Sequence, residues 1–140
     1  MVDANIIISA ILFPKSIISK TLKHIVLNYE LILSQYTVNE IKGVFQRKFP
    51  HRISEMENYL NKLPYKLFLL NEINSKKYPY IRDKNDMPVL ANAVESNANI
   101  FITGDKDFND IKIKKPRIIN PKKYEEEFMK DEGKPSANTR

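Results

Sequence analysis

The chain has 140 residues, 42% of them hydrophobic and 29% charged, a globular composition that suits one domain with its own core rather than a disordered segment. It contains no cysteine, which excludes disulfide frameworks and thiolate metal sites, and no apolar run approaches the roughly 18 residues of a membrane span. Lys and Arg number 23 against 17 Asp and Glu, a net charge of +6 that favours polyanionic partners such as nucleic acid.

Val2–Ala10, β-branched and apolar apart from Asp3 and Asn5, reads as an opening strand that Pro14 breaks. Ser16 stands as an N-cap, and Ile18, Leu22, Ile25 and Val26 recur at helical spacing over 17–28. The run YELIL (29–33) has the length of a short strand. A second helix follows, with Val38, Ile41, Val44 and Phe45 on one stripe as far as Phe49-Pro50. A third occupies 53–63 and stops at Pro64, and KLFLLNEI (66–73) fits a strand slightly better than a helix. The polar, proline-interrupted stretch 74–86 is a loop. Pro88 suits a first helical turn, after which Val89, Leu90, Ala93 and Val94 form an inward face.

Strands over 97–103 (NANIFIT) and 117–120 (RIIN) come next, then a last helix opening at Pro121 and containing Tyr124 and Phe128. Residues 1–130 read as one domain without repeats, and 131–140 as a disordered tail. The N-terminus lacks the basic-then-apolar layout of a signal peptide, so a cytoplasmic location is expected. Short apolar strands alternating with amphipathic helices predict right-handed βαβ units. The expected fold is α/β, a three-layer α/β/α sandwich around a mostly parallel central sheet.

In such sheets ligands sit beyond the carboxyl ends of the strands, and several acids fall there. Asp3 lies in or at the end of the first predicted strand. Glu40 follows the LIL strand on the second helix, and Asp86 precedes Met87-Pro88 at the start of another. Asp105 and Asp107 follow the NIFIT strand in the block TGDKDF (103–108). Carboxylates brought together need a cation or must give up a charge, and an all-oxygen set suits Mg²⁺ or Mn²⁺. His24 and His51 stand apart from these acids in the pattern, which disfavours zinc. Singly, each acid has a plainer reading. Glu40 completes a Thr37-x-x-Glu capping box, Asp86 and Asp83 are N-caps, and Asp105 and Asp107 are turn residues. Asp3, flanked by Val2 and Ile6-Ile7-Ile8, is costly to bury unpaired.

In VDANIIISAIL (2–12), LILSQYTVNEI (31–41), RDKNDMPVLANAVESNANIFITGDKDF (82–108) and RIINPKKYEEEF (117–128), the chain resembles the PIN-domain ribonucleases. The likeness is strongest to the branch that includes toxin components of toxin–antitoxin pairs, and it is only general between His51 and Tyr80. It implies a metal-dependent endoribonuclease. By position, Asp3, Glu40, Asp86 and Asp105 resemble the acidic quartet that holds Mg²⁺ or Mn²⁺, with Asp107 a further acid. Asn5 and Thr103 resemble the polar neighbours that orient them, although Asn5 also suits a turn and Thr103 an ordinary strand. Two departures stand out. Only Met1 and Val2 precede Asp3, which clips the first strand and weakens the expected anchoring of that acid, and Met87-Pro88 follows Asp86 where relatives carry polar residues.

The resemblance further implies in-line hydrolysis of an RNA phosphodiester to 5′-phosphate and 3′-hydroxyl ends, with Asp3, Asp86 and Asp105 holding one or two ions. Glu40 would bind through water or help to deprotonate the nucleophile. Its implied partners are RNA, an antitoxin that inserts a segment over the site, and a second copy of the chain. Cations available for RNA include Lys76 and Lys77 interleaved with Tyr78 and Tyr80, then Arg82, Lys84 and Lys106, and the run Lys112, Lys114, Lys115 and Arg117. In a lysine-rich chain these also read as solvated loop charges. A phosphotransfer domain using Asp3 as acceptor lacks the adjacent acid that it needs, since Asp3-Ala4-Asn5 supplies none. A PIN-like module that binds RNA or protein without cutting is the alternative that metal binding discriminates.

Overall fold

The computed structural model describes residues 1–129; the tail expected over 131–140 lies outside them. The first element corrects the sequence expectation. Ala4–Leu12 forms helix α1, and extended backbone is confined to the segment before it. There Val2 bridges Ile102 in parallel, the Asp3 N–H donates to the Ile102 carbonyl at 2.9 Å, and the Ile102 N–H donates to Met1 at 2.9 Å. Asp3 turns the chain into the helix by accepting the Ala4 N–H at 2.7 Å. Ala4, Ile6, Ile7, Ile8, Ala10 and Ile11 are all buried, and only a narrow strip meets solvent, Asn5 exposed with Ser9 and Leu12 half-buried, a signal too thin to distinguish a helix from a buried strand in sequence.

From there the elements follow the sequence pattern closely. Helix α2 (Ile17–Asn28) is capped by Ser16, whose hydroxyl accepts the Ser19 N–H at 3.2 Å. Strand β1 (Ile32–Ser34) leads directly into α3 (Gln35–Lys48). Helix α4 (Ile53–Lys62) ends ahead of Pro64, and only Lys66–Phe68 of the ambiguous 66–73 segment becomes strand β2. The loop that follows contains 3₁₀ turns at Ser75–Lys77 and Lys84–Asp86. Helix α5 (Met87–Glu95), with Pro88 in its first turn, precedes strand β3 (Ile100–Ile102). A 3₁₀ turn at Lys106–Phe108, strand β4 (Arg117–Ile119) and helix α6 (Pro121–Tyr124) complete the order, with a π-helical turn over Glu125–Met129 carrying Phe128.

Among the described residues every strand pairing is parallel. β1 registers Ile32 against Lys66 of β2, and β3 registers Ile100 against Arg117 of β4. The ladders form two two-stranded pieces, with Val2 attached to β3. Alternate strand residues point into different cores. Leu33, Ile102 and Ile119 join Ile7, Leu22 and Phe45 in one apolar cluster, while Ile32, Phe101 and Ile118 join Leu90 and Phe108 in the other. Both faces of the strands are therefore covered, which defines a three-layer α/β arrangement. Among the described residues no single helix is long and apolar enough to cross a membrane; α1 and α2 meet that test only as a pair bent by 115°.

Candidate functional site

Parallel strands bring Asp3, Ser34 and Thr103 to one edge, and the acids gather there. Asp3 is 8% exposed. One of its oxygens accepts the Ala4 N–H and the other accepts the Thr103 hydroxyl, each at 2.7 Å. The same hydroxyl accepts the Asp105 N–H at 3.1 Å, so Thr103 couples the two acids. Asp3 is well anchored, contrary to the weak anchoring expected, by these bonds and by its main-chain bond to Ile102. Burial raises the Asp3 pKa most, its two hydrogen bonds oppose that, and nearby Asp105 adds to it.

Glu40 lies on the second turn of α3. Its capping-box reading fails, because Ser34 caps this helix by accepting the Thr37 N–H at 3.0 Å. The Glu40 Oε1 is buried without a hydrogen-bond partner, and burial followed by the charge of Asp3 raises its pKa. Asp86 occupies the N-cap position of α5 without making a capping bond, and its Oδ2 is likewise buried and unpaired. Burial, then Asp105, Asp83 and Asp107, push the Asp86 carboxyl up to about 7. Asp105 itself opens the 3₁₀ turn and accepts the Asp107 N–H at 2.9 Å. Asp3, Glu40, Asp86 and Asp105 are thus linked by mutual repulsion at one sheet edge.

A second grouping overlaps the first. Asp83, Asp86 and Asp107 each place a carboxylate oxygen within 4.8 Å of the others, close enough to share one cation. Asp83 accepts the Asn85 N–H at 2.9 Å and so caps its 3₁₀ turn as expected, while also joining the acidic cluster. Its sequence signal was the pairing of two acids across a single 3₁₀ turn. Tyr36 also escaped the sequence reading. It stands one helical turn before Glu40 on the same face of α3, and burial with the charges of Glu40 and Asp86 raises its hydroxyl pKa.

The other expected residues divide. Asn5 is exposed on α1, with no hydrogen bond to the acids among the described residues. Lys84 and Lys106 are exposed and flank the acids in sequence. Lys114 and Lys115 are exposed but lead into the opening end of β4, and the β3–β4 register sets that end away from the acids. Lys77 pairs with Glu95 at 2.9 Å, and the Tyr78 hydroxyl donates to the same carboxylate at 2.9 Å. Arg117 pairs with Glu127. Arg82 instead reaches the site, its Nε donating to Asp107 Oδ1 at 2.9 Å with a second, shorter bond from Nη2.

The donor set tests well for a hard divalent cation. It is all oxygen, and two of its buried oxygens lack protein partners, an arrangement a cation would relieve. Residues 1–107 match the family model of the PIN domain. The chain belongs to the PIN domain family. A crystal structure of VapBC2 from Rickettsia felis bound to a DNA fragment from their promoter superposes with a TM-score of 0.64 at 20% identity, covering 86% of this chain and 96% of that one. At that identity the likeness carries the PIN fold. Among curated proteins none matches the chain.

Proposed function

We propose that this PIN domain is a Mg²⁺- or Mn²⁺-dependent endoribonuclease that hydrolyses RNA phosphodiesters as the toxin of a toxin–antitoxin pair. The observation that carries this reading is the pair of buried, unpartnered oxygens on Glu40 and Asp86 within a cluster that also holds Asp3 and Asp105. Protein interiors rarely tolerate such groups without a ligand. Bound there, a divalent ion would supply positive charge to the phosphoryl oxygen and acidify water. Asp3, Asp86 and Asp105 are the acids placed to hold it, with Asp107 and Asp83 on the outer side. Thr103 keeps Asp3 and Asp105 at fixed separation. Glu40, its carboxylate made more basic by burial and the charge of Asp3, would accept the proton of an attacking water.

The structural neighbour is a VapBC2 complex on promoter DNA. By analogy with it, an antitoxin partner and assembly into a larger complex are proposed here, together with a cytoplasmic location. The test is cleavage of labelled single-stranded and structured RNAs by wild type and Asp86→Asn, with and without Mn²⁺. Metal-dependent cutting that is lost in Asp86→Asn is the expected result. Absence of both cutting and calorimetric Mn²⁺ binding would leave only an inert PIN-like scaffold.

A further inference from the structure

Resting on that nuclease reading, we propose that Tyr80 and Arg82 form a clamp for one unpaired RNA nucleotide at the rim of the acidic cluster. The Tyr80 ring stacks on the base, and the Arg82 guanidinium receives an adjoining phosphate.

Three observations place the clamp. Ile81, 3% exposed, is embedded in the second apolar cluster and pins the backbone between the two residues. Its neighbours are left outward, with Tyr80 82% exposed and the Arg82 side chain 77% exposed. Arg82 is nevertheless not loose. Two of its N–H groups bind a single oxygen of Asp107, which fixes the guanidinium beside Asp83 and Asp86 and leaves the rest of its fork facing solvent.

The charge distribution explains why such a residue is needed. Asp3, Glu40, Asp83, Asp86, Asp105 and Asp107 crowd one edge, and Arg82 makes the one ion pair to them among the described residues. A phosphate approaching that edge meets repulsion unless a cation stands at the rim. The Tyr80 hydroxyl also lies near enough to Arg82 to be felt electrostatically. A bare aromatic ring two residues from an anchored guanidinium offers a stacking face and a phosphate contact on the same short segment. A base inside a duplex offers no free face for stacking, so the clamp selects unpaired RNA.

The experiment uses the full chain carrying Asp86→Asn, so that the strand stays intact, and a single-stranded RNA containing 2-aminopurine. Anisotropy reports binding, 2-aminopurine quenching reports stacking, and Mn²⁺ titration of each change on the wild-type background reports the metal site. Tyr80→Ala is expected to abolish quenching and weaken single-strand binding about tenfold, while Tyr80→Phe retains both and Mn²⁺ affinity stays unchanged in Tyr80→Ala. Arg82→Ala is expected to reduce the salt dependence of binding by about one counterion. Undiminished quenching and affinity in Tyr80→Ala would overturn the clamp while leaving the nuclease reading intact. A parent protein that binds no RNA would overturn the nuclease reading and the clamp together.

Discussion

At Asp86, burial and three neighbouring carboxylates all favour the protonated form. Its folded pKa of about 7 lies above the ordinary 3.8, so between those values the folded protein holds a proton that the unfolded chain has released. Stability of the metal-free protein therefore falls as pH rises through that window. Asp86→Asn cannot ionise. Its melting temperature in EDTA is expected to exceed that of wild type by a few degrees at pH 8, on the order of 1–2 kcal/mol once the shift is discounted for the partial exposure of this carboxyl to screening solvent. The excess should shrink towards pH 5, and calorimetry at several pH values checks this; a difference independent of pH would contradict acid crowding. Thr103 acts differently, because its hydroxyl serves two partners. Thr103→Val should cost about 1–3 kcal/mol by stranding a buried Asp3 oxygen, whereas Thr103→Ser should preserve both stability and Mn²⁺ affinity in parallel melts and titrations.

Among the elements, α3 matters most to the site, since it presents Tyr36 and Glu40 one turn apart beyond β1. Its start is fixed by Ser34, and Ser34→Ala should destabilise the protein by about 1 kcal/mol in urea melts. Gly43 lies in the interior of the same helix, where an added Cβ would meet only the far end of the Arg47 side chain, at 3.0 Å. That flexible group can move aside. Gly43→Ala is therefore expected to stabilise by up to about 1 kcal/mol, and an unchanged or lower urea midpoint would show that Arg47 is held. Helix α1 shows how an element can mislead in sequence. Its Ile6-Ile7-Ile8 run looks like a strand because α1 packs against both α2 and α3 and keeps only a narrow exposed strip at Asn5 and Ser9.

Over the whole molecule, a net charge of +6 coexists with a concentrated negative edge. Long-range attraction and local repulsion therefore act on the same polyanion. RNA binding should weaken steeply with salt. Mn²⁺ at a hundredfold excess over its dissociation constant should stabilise the fold by about 2.7 kcal/mol, read as an upward thermal shift at pH 8 that fades at pH 5 as protons compete for the same oxygens. A thermal shift unaffected by Asp86→Asn would place the ion elsewhere.

The sequence by itself determined the α/β class and the order of most elements. Ser16, Pro64 and Pro88 mark helix boundaries through local chemistry that neighbours in space do not alter. The acids were legible for a related reason, since charges written beside buried apolar strands have few bland explanations when several recur at strand ends. Tertiary structure alone decided the rest. It made α1 a helix, because a short segment buried on most of its faces cannot be told from a strand by pattern. It also moved Lys114 and Lys115 to the far edge, fastened Tyr78 to Glu95, and brought Arg82 across 25 residues of chain to Asp107. Those outcomes depend on register and on through-space charge, which no local stretch of sequence encodes.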